Sequence, residues 1–309
     1  MKVLVTGATG FIGGRIAGDL VKEGHQVYAL VRRTSKTDAL KEQGIGLIRG
    51  DTTDGTGLDS IKDTFDSIVH CAAYVADKNP EKLHAVNVAG TENICRLALR
   101  LGVSRLLYIS SVAVVSGHDQ LPLTEDLAYS ATNLYGESKI AAERKVLEYR
   151  GMGLRTAILR PPMVYGEGEP HLLRLILQLM KSRLFFLPDQ GQARWHMAYV
   201  GHVAEAARLA LREERFLEGT FFVADREVLT CAQIFGFLAE GIRARPPILL
   251  SQKTTGFLTR IPFLGPKIRS LTKDRVYDLK RITQAGYEPA LTAQQALIKT
   301  ARWYAGDRR

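Results

Sequence analysis

Tyr135 and Lys139 stand four residues apart in Tyr135-Gly136-Glu137-Ser138-Lys139, inside a run whose pattern predicts a helix over Tyr135 to Tyr149. On a helix that spacing puts both side chains on one face. A phenol of pKa about 10 is a poor base at neutral pH. An ammonium beside it favours the phenolate and lowers that value. Such a pair can take a proton from an alcohol, or return one to a carbonyl oxygen, as hydride leaves or joins the neighbouring carbon. A hydroxyl that could orient this oxygen comes from Ser110-Ser111, one strand–helix unit upstream, and Thr124 is a weaker candidate.

These groups need elements that bring them to one place. Lys2 to Val5 reads as a short buried strand, followed by Gly7, Gly10 and Gly13 and then by Ile12, Ile16 and Leu20 at helical spacing. The glycines therefore occupy a strand-to-helix turn. Gly7 permits the tight turn, Gly10 lets backbone approach a pyrophosphate at the positive helix end, and Gly13 lets the helix pack closely. Further strands are expected at Val27–Val31, Gly46–Arg49, Ser67–Ala72, Arg105–Ser110 and Leu154–Arg160, with helices over Leu58–Phe65 and Leu83–Leu101 between them. This alternation predicts an α/β fold, a Rossmann-type doubly wound parallel sheet with right-handed crossovers. Ser110 and Ser111 then fall at the strand edge where such sheets bind ligands. An acidic residue ending the second strand favours a free ribose hydroxyl on the cofactor, and arginine favours a phosphate. Here Arg32-Arg33 follows the strand, so NADP(H) is expected, with NAD(H) as the alternative.

Beyond Pro161-Pro162 the regularity lapses. Helices are expected at Leu172–Met180, Val203–Arg212, Ala232–Ile242 (capped by Thr230) and Ala293–Tyr304 (capped by Thr292), and strands at Trp195–Val200 and Gly219–Ala224. The expected division is a cofactor domain over 1–165, to which later segments return, and a smaller substrate lobe over 166–309.

Thr6-Gly7-Ala8-Thr9-Gly10-Phe11-Ile12-Gly13 resembles the extended branch of the short-chain dehydrogenase/reductase superfamily, home to nucleotide-sugar epimerases, dihydroflavonol reductases and 3β-hydroxysteroid dehydrogenases. The Tyr-x-x-x-Lys pair and Asn87-Val88-Ala89-Gly90-Thr91 fit the same pattern, strongly as far as Gly166 and loosely beyond. The resemblance implies Ser111, Tyr135 and Lys139 as catalytic residues. It implies cofactor contacts from Gly7, Thr9, Gly10, Phe11, Ile12, Arg32, Arg33, Asp51, Thr52, Cys71, Ala72, Ala73, Tyr135, Lys139, Pro161 and Val164. Val115-Ser116 and His202 depart from the usual family residues; an aspartate is common where His202 stands.

Composition narrows the rest. With 46% apolar and 24% charged residues the chain is an ordinary globular one. Cys71, Cys95 and Cys231 have no disulfide or metal spacing, and the seven histidines show none, so no metal is expected. The early first strand leaves no room for a signal peptide and no apolar run is long enough for a membrane span, so the cytoplasm is expected. No nucleic-acid motif stands out. The net charge of +10 is uneven: residues 243–281 hold ten basic residues against Asp274 and Asp278. That segment suits an anionic substrate, an acidic partner, a membrane surface or simply a solvated face. A small-molecule substrate and a homodimer are expected from the resemblance. Leu172–Met180, Phe185-Phe186 and residues 256–271 could line an apolar pocket or pack their own lobe. The expected activity is an NADP(H)-dependent oxidoreductase on a carbonyl/alcohol pair. An NAD-dependent nucleotide-sugar epimerase, with Arg194 on the diphosphate, is the alternative, and a cofactor-sensing protein the lesser one. Val112-Ala113 stands where sugar dehydratases carry Asp-Glu, which argues against dehydration.

Overall fold

A computed structural model describes residues 1–262 and 265–306; Phe263 and Leu264, within the apolar 256–271 stretch, lie outside the described residues. The chain divides into two compact units. The first comprises Met1–Pro162, Val203–Val223 and Leu279–Tyr287; the second comprises Met163–His202, Ala224–Asp278 and Glu288–Arg309.

In the first unit β1 (Lys2–Thr6), α1 (Phe11–Lys22), β2 (Gln26–Val31), α2 (Asp38–Glu42), β3 (Gly46–Arg49) and β4 (Ser67–His70) follow in turn. Next come α3 (Pro80–Leu83), a π-helical segment His84–Ala89 and α4 (Gly90–Arg100), which run on without a break. β5 (Arg105–Ile109), α5 (Leu134–Gly151) and β6 (Thr156–Arg160) complete the series. All six strands pair in parallel, and Thr220–Phe222 adds a seventh beside β6. The order is 220–222, β6, β5, β4, β1, β2, β3. Central strands buried on both faces carry continuous apolar runs, as Val3, Leu4 and Val5 or Leu106 and Leu107 show. The helix Lys280–Gln284 lies beside the edge strand, with Arg281 donating to the Thr220 carbonyl (3.4 Å) and pairing with Asp126 (2.5 Å).

Residues 58–65 do not form the expected helix. Leu58, Ile61 and Phe65 still enter the core, but as a chain of turns after Gly55 and Gly57, both at positive φ. Arg100 satisfies the Leu58 and Ile61 carbonyls that a helix would have used (2.8 and 3.2 Å). In the second unit the expected strand 195–200 is instead two short pairings, Arg194–Trp195 with Leu229–Thr230 and Ala198–Tyr199 with Val164–Tyr165. Helices Cys231–Gly241 and Ala293–Ala305 each begin with a threonine capping box. They pack closely because Gly241 lacks a side chain; a Cβ there would lie 2.5 Å from that of Ala301.

Candidate active site

A cavity of about 290 Å³ opens at the carboxyl ends of β1 to β4. It lies where the strand order reverses between β1 and β4, the place doubly wound sheets use for ligands. Gly7, Thr9, Gly10, Arg32, Asp51, Thr52, Cys71, Ala72 and Ala73 line it, with Lys82 among the remaining walls. Gly7 has φ +68°, and a Cβ there would stand 2.7 Å from the Ala72 nitrogen. α1 starts at Phe11 with Gly10 as an N-cap that offers no side chain, and its first turn holds no acid. The N–H groups at that end are left for an anion. Phe11 and Ile12 are half-buried in this turn. The cavity therefore fits a dinucleotide: backbone donors for a pyrophosphate, small residues where ribose must pass, and a guanidinium at the second strand.

Arg32 borders the cavity, whereas Arg33 is exposed and not among the lining residues. Arg49 donates to the Arg32 carbonyl (3.0 Å) and helps hold that loop. Asp51 accepts the Thr53 N–H (2.9 Å), while Thr52 accepts from Asn93 through its carbonyl (2.8 Å). Gly13 makes its close approach to the preceding loop, since a Cβ would fall 2.4 Å from the Gly7 oxygen and 2.7 Å from its carbon. Backbone atoms cannot rotate away. Gly13→Ala is expected to cost roughly 1–3 kcal/mol and to weaken cofactor binding, read by thermal unfolding and by nucleotide titration.

Ser110 and Ser111 diverge at the end of β5. Ser110 Oγ donates to Glu143, a fully buried carboxylate. Ser111 Oγ accepts the Ala113 N–H (3.2 Å) and lies close enough to Tyr135 to act on its phenol. Tyr135 begins α5, which Asn133 caps at the Gly136 N–H (2.8 Å), and its own N–H goes to Asp77 (3.1 Å). One turn on, Lys139 is 2% exposed, with its ammonium on the Tyr108 hydroxyl (3.1 Å) and the Ile109 carbonyl (2.8 Å). Burial pulls its pKa down to about 8, against the opposing charge of Glu143.

The chain's own groups do not lower the Tyr135 pKa. Burial pushes it up to about 12, with the Ser111 side chain acting downward. The Lys139 ammonium gives its hydrogen bonds to Tyr108 and Ile109. The neutral phenol, a proton donor, is the form favoured at neutral pH.

Two buried networks hold these groups and were invisible in the sequence. Thr91 Oγ1 donates to the Asn87 carbonyl (2.6 Å), so it must accept from His70 Nε2–H (3.0 Å). His70 Nδ1 then accepts from Thr6 Oγ1 (2.7 Å), which itself takes the Ala72 N–H (3.2 Å). Burial, then the Lys139 charge, depress the His70 pKa to about 3, which fixes this neutral tautomer. Asn87, in the π-helical turn, bonds both backbone groups of Tyr74 (2.7 and 2.9 Å) and Ser138 Oγ (2.9 Å). The second network centres on Glu143, which accepts from Arg160 Nε (2.9 Å) and its terminal nitrogen (2.6 Å), and from Tyr129 (2.8 Å).

Cys71 is held by the Thr6 carbonyl (3.3 Å), and burial raises its thiol to about 12, so it serves as a small wall residue. Pro161, buried in the first unit, accepts the Val112 N–H (3.2 Å). Val164 belongs to the second unit, where it pairs with Ala198. His202, also there, pairs with Asp225 (2.8 Å). Asp225 accepts the Tyr199 N–H (2.7 Å) as well, and the helix begins at Val200, so residue 202 lies inside it rather than at its cap.

A parallel doubly wound sheet with a glycine-lined dinucleotide cavity and a Ser–Tyr–Lys cluster defines a nucleotide-cofactor enzyme. Residues 3–224 match the family model described as the NAD dependent epimerase/dehydratase family, to which the chain belongs. It is an NAD(P)-dependent enzyme of the extended short-chain dehydrogenase/reductase type. The chain is 29% identical to a 3β-hydroxysteroid dehydrogenase/Δ5→4-isomerase of Mycobacterium tuberculosis, over 98% of this chain and 90% of that protein. It is 30% identical to a 2-alkyl-3-oxoalkanoate reductase of Stenotrophomonas maltophilia, over 79% of this chain and 76% of that one. Among solved structures, UDP-glucose 4-epimerase of Thermotoga maritima with UDP-glucose superposes with TM-score 0.81 at 19% identity, covering both chains fully. The NAD complex of UDP-glucose 4-epimerase from Thermus thermophilus gives 0.78 at 25% identity over 99% of each chain.

Proposed function

We propose that this protein is an NADP(H)-dependent oxidoreductase acting on a carbonyl or secondary alcohol of a small apolar substrate, with Tyr135 as its acid/base. The carrying observation is the placing of Ser111 beside Tyr135, with the phenol kept protonated, at the carboxyl edge of the sheet. Bound cofactor supplies the hydride for reduction. Ser111, whose oxygen already takes the Ala113 N–H, orients the substrate oxygen, and Tyr135 delivers the proton to it. Lys139, anchored by Tyr108 and Ile109, supports the ribose and the phenol's electrostatics. Gly7, Thr9, Gly10 and the first N–H groups of α1 hold the pyrophosphate, Asp51 the adenosine end and Ala72–Ala73 the ribose passage.

Arg32 at the cavity, with no carboxylate in its place, supports the phosphorylated cofactor. Two relatives named for a hydroxysteroid and an oxoalkanoate support an oxygen function on an apolar skeleton. Arg194, which an epimerase would set on a diphosphate, is paired with Asp274 through Nε (2.8 Å) and a terminal nitrogen (2.7 Å), and this favours the reductase reading. The test is a titration of nucleotide-stripped protein with NADPH and NADH. NADPH should bind about 10- to 100-fold tighter, the range of a charge-assisted hydrogen bond, and Arg32→Ala should erase the difference. Tightly retained NAD with no preference in the titration would reject the NADP(H) reading and put nucleotide sugars next in line.

A further inference from the structure

The second unit presents an apolar surface among cations that the proposed chemistry does not use. Leu184 and Phe257 are each 67% exposed, Ile248 51% and Phe186 46%. Two paired strands and a helix carry three of them, and Leu184 stands two residues before the first strand. The strand Phe186–Leu187 pairs in parallel with Ile248–Leu249, setting Phe186 beside Ile248. The helix Gln252–Leu258 follows, tied back by Thr255 Oγ1, which accepts the Asp189 N–H (2.7 Å). Exposed apolar groups gathered in this way mark an interaction surface.

The charge says what kind. From Gly241 to Lys273 the sequence has seven Lys and Arg and no Asp or Glu. Arg243, Arg245, Lys253 and Arg260 are exposed, and none is in an ion pair among the described residues. The first acid beyond, Asp274, is occupied by Arg194. A symmetric contact between two copies would set these cations against themselves. An anionic bilayer offers both complements: phosphates for the cations and an acyl boundary for the apolar side chains. No helix among the described residues is long and apolar enough to cross a membrane, so the contact lies on the surface.

We propose that this face, centred on Leu184, Phe186, Ile248 and Phe257, docks the protein on anionic lipid bilayers. Co-sedimentation of the full chain with phosphatidylcholine vesicles, with and without phosphatidylglycerol, tests it. Partitioning should be about 10-fold or more stronger on the anionic vesicles and fall with added salt. The double variant Leu184→Glu/Phe257→Glu should lose about 10-fold while keeping the parent's melting temperature and NADPH affinity. Arg96→Glu, an exposed change in the other unit, should partition like the parent. Equal partitioning to neutral vesicles, insensitivity to salt, or a double variant that binds like the parent would overturn the proposal. So would light scattering that shows the double variant breaking a dimer while vesicle binding persists, since the face would then be a self-contact.

Discussion

Tyr135→Phe lowers kcat for carbonyl reduction by about 10²- to 10⁴-fold, the range lost with a positioned acid or base. The change removes one oxygen and little else. The ring stays, the backbone N–H keeps Asp77, and Asn133 still caps α5. Ser111 keeps the Ala113 N–H. NADPH affinity and melting temperature should therefore stay near the parent's. With a transition-state role, kcat and kcat/KM fall together. A Tyr135→Phe variant that turns over at the parent rate, measured by NADPH oxidation with an oxo substrate, would remove Tyr135 from the mechanism.

Glu143→Ala should cost about 3–5 kcal/mol, the usual penalty for leaving a buried charge without its partner. Glu143 is wholly buried, and Arg160, itself 4% exposed, depends on it for two of its bonds. Ser110 and Tyr129 lose their acceptor in the same step. Urea unfolding reads the loss. The milder Glu143→Gln adds a test on activity. Glu143 follows Lys139 by one turn, and its charge opposes the burial that draws Lys139 down to about 8. Without that charge the Lys139 pKa falls further. The ammonium is lost as pH rises through that value, so the alkaline limb of the rate profile should move to lower pH. A limb that stays in place while stability drops would limit Glu143 to a structural role.

The glycine turn, the strand–helix alternation and the Tyr-x-x-x-Lys pair were legible because each is a short-range pattern. Periodicity misled at Leu58, Ile61 and Phe65, whose helix-like spacing reflects turns packed on a core and carbonyls served by Arg100. The strand expected over 195–200 failed for a related reason: its pairing partners, 164–165 and 229–230, are distant in sequence. The same distance hid the His70 and Glu143 networks. Thr6 meets His70 across 64 residues, and nothing local to either announces the bond. The family pattern points to Ser111 rather than Ser110, and Glu143, far off in sequence, claims Ser110. The Tyr135 pKa also needed three dimensions, since an i,i+4 lysine says nothing of where its ammonium turns.

The discontinuous make-up of the first unit bears on how the protein is made. A nascent chain of 223 residues already contains all seven strands of the large sheet. The helix Lys280–Gln284, whose Arg281 reaches the edge strand at Thr220, is synthesised only after most of the second unit. Until then the Thr220 carbonyl on that edge waits for its Arg281 partner and is open to a neighbouring strand. Translation thus passes through a window in which a nearly finished sheet can pair with the wrong chain, and a ribosome stalled between residues 223 and 279 would leave a product prone to aggregate.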